Sequence, residues 1–285
     1  MKEIYDELSR YNIHESNIEV ISNKDGIIVS KVSMDKENYV LKYFEKEEYR
    51  REIDYYNLLE SLRIKTIKVH GTTEKSILLE DVECSKNYKL AKPRDLEFNQ
   101  VIISLANYYR TLHSKGGDFL ENHSDVIFYS EISLINKANI EKLIVKTKYD
   151  NKDYWRLINK LIIDLKPFYQ LNRTITYNDF YYGNMIVSKN QDESFMFDYN
   201  LLGEGLRYFD ISNVLSGLCP EMRIVFLKEY GAIDEYELKL NEHLAPLVGL
   251  ISAYEKPTFP SWAVDELEAL KTGKLYKSLN EWMKS

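Results

Sequence analysis

The sequence predicts an α+β protein of two lobes, and three observations carry that prediction. The chain has 285 residues, too many for one small core and a natural length for two. Its first part alternates short apolar or β-branched runs with turn residues, while the remainder carries apolar residues at helical spacing. A small β-rich insert between residues 174 and 198 interrupts the helical part. Strands first and helices after is the order of an α+β fold with a cleft between lobes. The expected boundary gives a small β-rich N-terminal lobe over 1–83, with a five-stranded sheet and one main helix. A larger, mostly helical lobe follows over 84–285.

Each element has a local reason. Ile18 to Ser22, Ile27 to Met34 and Asn38 to Phe44 read as strands. Asn23-Lys24-Asp25-Gly26 and Asp35-Lys36-Glu37 separate them as turns, with Asp25-Gly26 a hairpin signal. From Glu45 to Leu62, Tyr49, Ile53, Tyr56 and Leu59 share one helical face. Thr66 to Thr72 and Ser76 to Val82 complete the sheet. Helices are expected over Asp95 to Ser114, Leu134 to Thr147 and Asp153 to Tyr169, with Gly116-Gly117 marking a break. Further helices are expected over Pro220 to Glu229, Asp234 to Tyr254 and Trp262 to Met283. Lys256 to Pro260 separates the last two, because each proline holds its neighbour extended.

Composition narrows the function classes. Hydrophobic residues make up 44% and charged residues 29%, the balance of a folded soluble chain. A net charge of −7 argues against nucleic acid and against an anionic membrane surface. It is compatible with a cationic small molecule. In residues 220–285, acids outnumber bases by eleven to eight, too slight a bias to demand such a ligand. The two cysteines, Cys84 and Cys219, make neither a metal spacing nor a disulfide framework, so a reducing compartment fits. No apolar segment follows a basic start and no window reaches about 18 apolar residues. A cytoplasmic monomer or homodimer is expected.

The chemistry is concentrated in Thr174 to Asp198. Asp179, Asn184 and Asp198 follow one another at steps of five and fourteen residues, with an apolar run before Asp198. A loop carboxylate can orient a hydroxyl nucleophile, while a carboxamide and a strand-end carboxylate can hold a magnesium-bound phosphate chain. Singly, Asp179 reads as a turn residue and Asp198 as a polar strand end; the joint pattern is what points to phosphoryl transfer. That reaction also needs a lysine for the phosphates and a glutamate to fix the lysine. Lys42 lies inside the apolar strand Tyr39 to Phe44, and Glu52 lies ten residues on in the next helix, with Glu48 as its rival. Glu80, Asp81 and Val82 end a strand where a hinge would bind the nucleotide base. Asn23 and Gly26 belong to the turn that would cover the phosphates. Asp210 reads as the cap of a helix beginning at Ile211.

These residues resemble a known family. Tyr177-Asn178-Asp179-Phe180 with Asn184, then Phe197-Asp198-Tyr199 and Tyr208-Phe209-Asp210-Ile211, are similar to motifs of the aminoglycoside phosphotransferase and choline kinase-like enzymes. The helix Leu105 to His113 and the Arg51-Glu52 helix match as well, so the likeness spans residues 15 to 215. It implies a protein-kinase-like fold, Asp179 as catalytic base, Asn184 and Asp198 as Mg²⁺ ligands, and Lys42 with Glu52 as the phosphate clamp. ATP or GTP would be the donor and a small-molecule hydroxyl the acceptor, of the aminoglycoside type or an amino alcohol or sugar. A nucleotide-binding pseudokinase is the rival class, but a binding module has no need of the base. A protein kinase fits poorly, because only eleven residues separate Asp198 from Asp210. The chain departs from the family where Tyr177-Asn178 replaces His-Gly, in the single glycine of the phosphate turn, and over the last seventy residues.

Overall fold

The computed structural model describes residues 1–14, 16–34, 37–123 and 128–284. The chain starts with a helix, α1 (Lys2–Arg10), followed by strands β1 (Asn17–Lys24), β2 (Ile27–Ser33) and β3 (Asn38–Phe44). Helix α2 (Arg51–Ser61) and strands β4 (Val69–Thr72) and β5 (Ser76–Glu80) come next. The five strands form one antiparallel sheet in the order β1-β2-β3-β5-β4. In β2, Ile28, Ser30 and Val32 are buried and their neighbours are not, the period of two that a half-buried strand imposes. Asp25 and Gly26 turn β1 into β2 with φ of 58° and 88°, the positive pair of a tight two-residue hairpin. Asp35 and Lys36 of the second expected turn lie outside the described residues.

One helix was expected in this part and the structure has two. Lys, Glu and Asp crowd the first residues and hide the Ile4–Leu8 spacing that puts both side chains on one face of α1. Both are fully buried, in a cluster with Ile13, Ile28, Val32, Leu41, Tyr43 and Leu78. Glu7 is 3% exposed, a costly position for a lone carboxylate. The cost is offset because its carboxylate accepts from the hydroxyls of Thr73 and Ser76, the latter at 2.7 Å.

The later elements are β6 (Tyr88–Leu90), α3 (Asn99–Asn122), α4 (Lys137–Thr147), α5 (Lys152–Asn172), β7 (Thr174–Thr176), β8 (Met185–Ser188), β9 (Ser194–Met196) and β10 (Gly203–Gly205). Helices α6 (Arg207–Ser216), α7 (Pro220–Tyr230), α8 (Glu235–Tyr254), α9 (Val264–Lys271) and α10 (Lys274–Trp282) end the chain. The expected α+β class, strand-rich first and mostly helical after, therefore stands. Gly273, at φ 77°, splits the single helix expected over Trp262 to Met283. No helix among the described residues is long and apolar enough to cross a membrane.

The chain divides into two compact units. One comprises Met1–Lys115, Asp179–Leu202 and Val214–Gly231. It holds the five-stranded sheet and an antiparallel sheet of order β6-β8-β9. Ser194 ties β9 to α3, donating from its hydroxyl to Val101 O at 2.8 Å. The other unit comprises Gly116–Asn178, Gly203–Asn213 and Ala232–Ser285. It holds the β7–β10 pair and a core in which Ile158 and Leu161 of α5 meet Leu244 and Leu247 of α8 and Leu279 of α10.

The break expected at Gly116-Gly117 is absent, and α3 runs through both glycines. Close approach explains the first of them: a Cβ at Gly116 would sit 2.7 Å from Ile175 N and Cβ, so only glycine lets α3 lie this near β7. At Gly117 the nearest atoms would be 3.9 Å away. The two positions should therefore respond with opposite sign. Gly116→Ala is expected to destabilise by about 1–3 kcal/mol through overpacking. Gly117→Ala should stabilise by up to about 1 kcal/mol through helix propensity. Urea-unfolding midpoints of the two variants test this.

Candidate active site

The site grows from β3. Register puts Lys42 opposite Val29 of β2 and Ile77 of β5 in the middle of the sheet, where its side chain is 8% exposed. An ammonium so buried needs partners. It donates to Glu52 Oε1 of α2 at 2.9 Å and to Asp198 Oδ1 at 2.7 Å, and lies 2.6 Å from Glu52 Oε2 as an ion pair. Burial pulls the Lys42 pKa down, but Glu52 and Asp198 outweigh it and hold the group above its ordinary value. Burial pushes Glu52 up to about 7, with Lys42 opposing. Glu52 also accepts from Tyr199 N at 3.2 Å, fixing the backbone beside Asp198. Glu48, the rival glutamate, is exposed and lies 4.0 Å from Lys46.

Asp198 follows β9 in left-handed backbone, with φ 63°. Its N–H points to the hydroxyl of the buried Tyr56 at 3.4 Å, and its side chain stays one-third exposed. Asn184, just before β8, is tied to the same neighbourhood, because Phe197 N donates to Asn184 O at 3.0 Å. Its amide nitrogen donates to Asp179 Oδ2 at 2.9 Å and to Asp179 O at 3.3 Å. Burial, and then the Asp198 charge, push Asp179 up to about 6 against the Asn184 bond. Lys42, Glu52, Asp179, Asn184 and Asp198 thus belong to one unit of the fold.

Asp210 does not cap a helix beginning at Ile211. Helix α6 starts earlier, at Arg207, because the buried Glu237 already serves its first turn by accepting from Tyr208 N at 2.6 Å. Asp210 is fully buried, and its carboxylate accepts from Tyr177 N at 2.8 Å and Asn178 N at 3.1 Å. It therefore fixes the two residues that lead into Asp179. Asn178 takes φ 64°, a conformation that Asn tolerates better than most residues. Sequence reasoning missed this grip, because an Asp in a first helical turn looks the same whether it serves its own helix or a distant loop.

The remaining positions lie further out along the sheet. Asn23 is paired in β1 opposite Ile28, so the turn proper is Asp25-Gly26 alone. Lys46 lies across Gly26, and a Cβ there would meet its side chain at 2.9 Å. Glu80 ends β5, and Asp81 accepts from Glu83 N at 3.0 Å to start a tight turn through the buried Val82.

The donor chemistry suits a hard cation. Asn184 spends its amide nitrogen on Asp179, which leaves its oxygen, and Asp198 adds a partly exposed carboxylate. Among the described residues, no three His, Cys, Asp or Glu side chains converge as a closed metal site. Two oxygen ligands, completed by phosphates and water, is how Mg²⁺ is commonly held.

The sequence pattern of the phosphotransferase enzyme family matches residues 26–244. No curated protein matches the chain. Among solved structures it is similar to choline kinase LicA from Streptococcus pneumoniae, with 15% identity, 98% of each chain covered and a TM-score of 0.63. Macrolide 2′-phosphotransferase MphH from Brachybacterium faecium gives 12% identity, 98% of each chain and a TM-score of 0.59. A spectinomycin phosphotransferase in complex with ADP and spectinomycin gives 13% identity, 98% of this chain, 97% of that one and a TM-score of 0.53. These likenesses carry the fold, and the match over more than half of the sequence carries the kinship: the chain belongs to the phosphotransferase enzyme family.

Proposed function

We propose that the enzyme transfers the γ-phosphate of ATP or GTP to a hydroxyl of a small amine-bearing alcohol, with Asp179 as the base. The observation that carries this reading is the joint placement of Asp179 against Asn184 and of Asp198 against the Lys42–Glu52 pair. Choline kinase and the spectinomycin enzyme among the similar structures support the class of acceptor, and the ADP bound to the latter supports the donor. The chain's net charge of −7 favours a cation over an anion. The reaction is read as cytoplasmic, where the free thiols of Cys84 and Cys219 stay reduced.

The residues divide the work. Lys42, kept charged by its two carboxylates, holds the α- and β-phosphates, and Glu52 fixes its direction. Asn184 and Asp198 would hold Mg²⁺, which supplies charge neutralisation on the phosphates when bound. Glu80, Asp81 and Val82 line the base site, and Gly26 lies at the phosphate turn, with Asn23 before it in β1. Asp179 accepts a hydrogen bond from the acceptor hydroxyl and takes its proton as that oxygen bonds to the γ-phosphorus. The bond from phosphorus to the bridging oxygen breaks, and the nucleoside diphosphate leaves. Asn184 keeps Asp179 in one rotamer, and Asp210 keeps the approach to it rigid.

Two substitutions separate these roles. Asp179→Asn should lower kcat by about 10³-fold while leaving Mg-nucleotide affinity within about twofold; retained turnover would sink the mechanism. Asp198→Ala should instead weaken nucleotide binding in Mg²⁺ by at least about tenfold, read by calorimetry with a non-hydrolysable analogue, and EDTA should erase the difference between variant and wild type. A nucleotide-consumption screen over choline, ethanolamine, spectinomycin, kanamycin and glucose tests the acceptor. Nucleotide binding without turnover on any of them would overturn the reading.

A further inference from the structure

The face of the sheet that carries Lys42 holds a second lysine. Register decides which side chains share that face. Val29 of β2 and Ile77 of β5 stand opposite Lys42; Lys31 of β2 stands opposite Val40 of β3, which in turn stands opposite Leu79. Two residues along a strand return to the same face, so Val29, Lys31, Val40 and Lys42 lie together on it. They form a square, with the lysines on one diagonal and the valines on the other. The opposite face is taken by α1: Ile28, Val32, Leu41, Tyr43 and Leu78 pack there with Ile4 and Leu8. Val29, Lys31 and Val40 are only half-buried.

Lys31 does not use the acid nearest to it in register. Glu19 of β1 stands opposite it, yet its ammonium donates to Glu83, in the tight turn that follows β5. Strand β3 lies between β2 and β5, so the ion pair reaches across two strand spacings, about 10 Å. It does so on the face of Lys42, one row, or about 7 Å, further along the strands. Lys42 has its own acids, Glu52 and Asp198. The valines are thus bordered by a phosphate-holding ammonium and by an ion pair that holds nothing else. Chain continuity points to the same place, because Glu83 directly follows Glu80 to Val82, the segment read above as lining the base site. Apolar side chains beside the phosphate lysine suit the flat face of a nucleotide base.

We propose that Lys31 and Glu83 set the affinity for the donor: their ion pair is a strap over the outer end of the base site, parting to admit the base onto Val29 and Val40 and reclosing at its edge. The proposal rests on the reading of Lys42 as the phosphate clamp. The side chains of the pair are 30% and 55% exposed, and an ion pair this exposed costs little to part. The strap therefore yields to an entering nucleotide and, once reclosed, hinders a leaving one. It acts at the base and not as a counter-charge to the phosphates. It also needs both partners, so losing the acid is as damaging as losing the base.

The test is calorimetric titration of Mg-bound non-hydrolysable analogues of ATP and of GTP into the full chain and into Lys31→Met, Glu83→Gln and the double variant. For whichever analogue binds, each single substitution should raise Kd about three- to fivefold. The double variant should match the singles and not add to them, because either change alone removes the pair. Lys31→Arg, which keeps the charge, should stay within about twofold of wild type. The sign of the Glu83→Gln effect is decisive: removing a negative charge near a phosphate chain tightens binding, whereas breaking a strap weakens it. Unchanged or tighter binding in Glu83→Gln overturns the strap, and so do additive losses in the double variant. A urea-unfolding midpoint that falls in step with affinity marks a structural strut and overturns it as well. The two readings fail separately. A wild type that binds neither analogue removes the donor site and the strap with it, while variants that all bind like a binding wild type remove the strap alone.

Discussion

A lysine ammonium buried in the middle of a β-sheet is the constraint around which the candidate site is built. Lys42 cannot stay charged there without carboxylates, and the two that reach it come from far apart in sequence, Glu52 on α2 and Asp198 after β9. Meeting that need fixes α2 against the sheet. It also draws the segment after β9 to the same point and leaves Asp198 in a left-handed conformation. An isolated ion pair at this depth would contribute little net stability, because desolvation cancels much of the attraction. Its value lies in geometry. Three charged groups hold one another within hydrogen-bond reach before any phosphate arrives, which is the kind of pre-organisation that phosphoryl transfer relies on.

The loop that carries Asp179 is organised by a different means. No cation reaches Asp179 within hydrogen-bond distance among the described contacts; a neutral amide orients it instead. The carboxylate is half-desolvated and sits in the field of Asp198, both of which favour a proton on it. A carboxylate in that state is a better proton acceptor than one in water, and the Asn184 bond limits how far the shift goes. The loop and the sheet therefore supply complementary parts: an ammonium kept positive by its partners, and a carboxylate made more basic by its surroundings.

Much of this was legible in the sequence, and the reasons are physical. The periods of β2 and α2 are clean because one face of each is buried, and the chemistry-bearing residues interrupt apolar runs where a solvated side chain would not be expected. Lys42 stands out for that reason. What was hidden depends on contacts between distant segments. Gly116 looks like a helix breaker until β7 is seen lying against it. Glu7 and Ile4 look like surface and spacer until the Thr73–Ser76 turn arrives to satisfy the carboxylate. Asp210 carries no local sign that its oxygens point to Tyr177 and Asn178.

The grip of Asp210 has a consequence for how this loop can change over time. Its carboxylate holds backbone N–H groups, and every residue except proline offers one. The Asp210 grip therefore does not depend on which side chains stand at 177 and 178. Position 177 is left to satisfy a fully buried space, which a tyrosine can fill as well as a histidine. Position 178 is left to tolerate a positive φ, which an asparagine can do in place of glycine. The identity of these two residues is thus free to drift in company with the packing around them, while Asp210, invisible in the chemistry, is the position the loop can least spare.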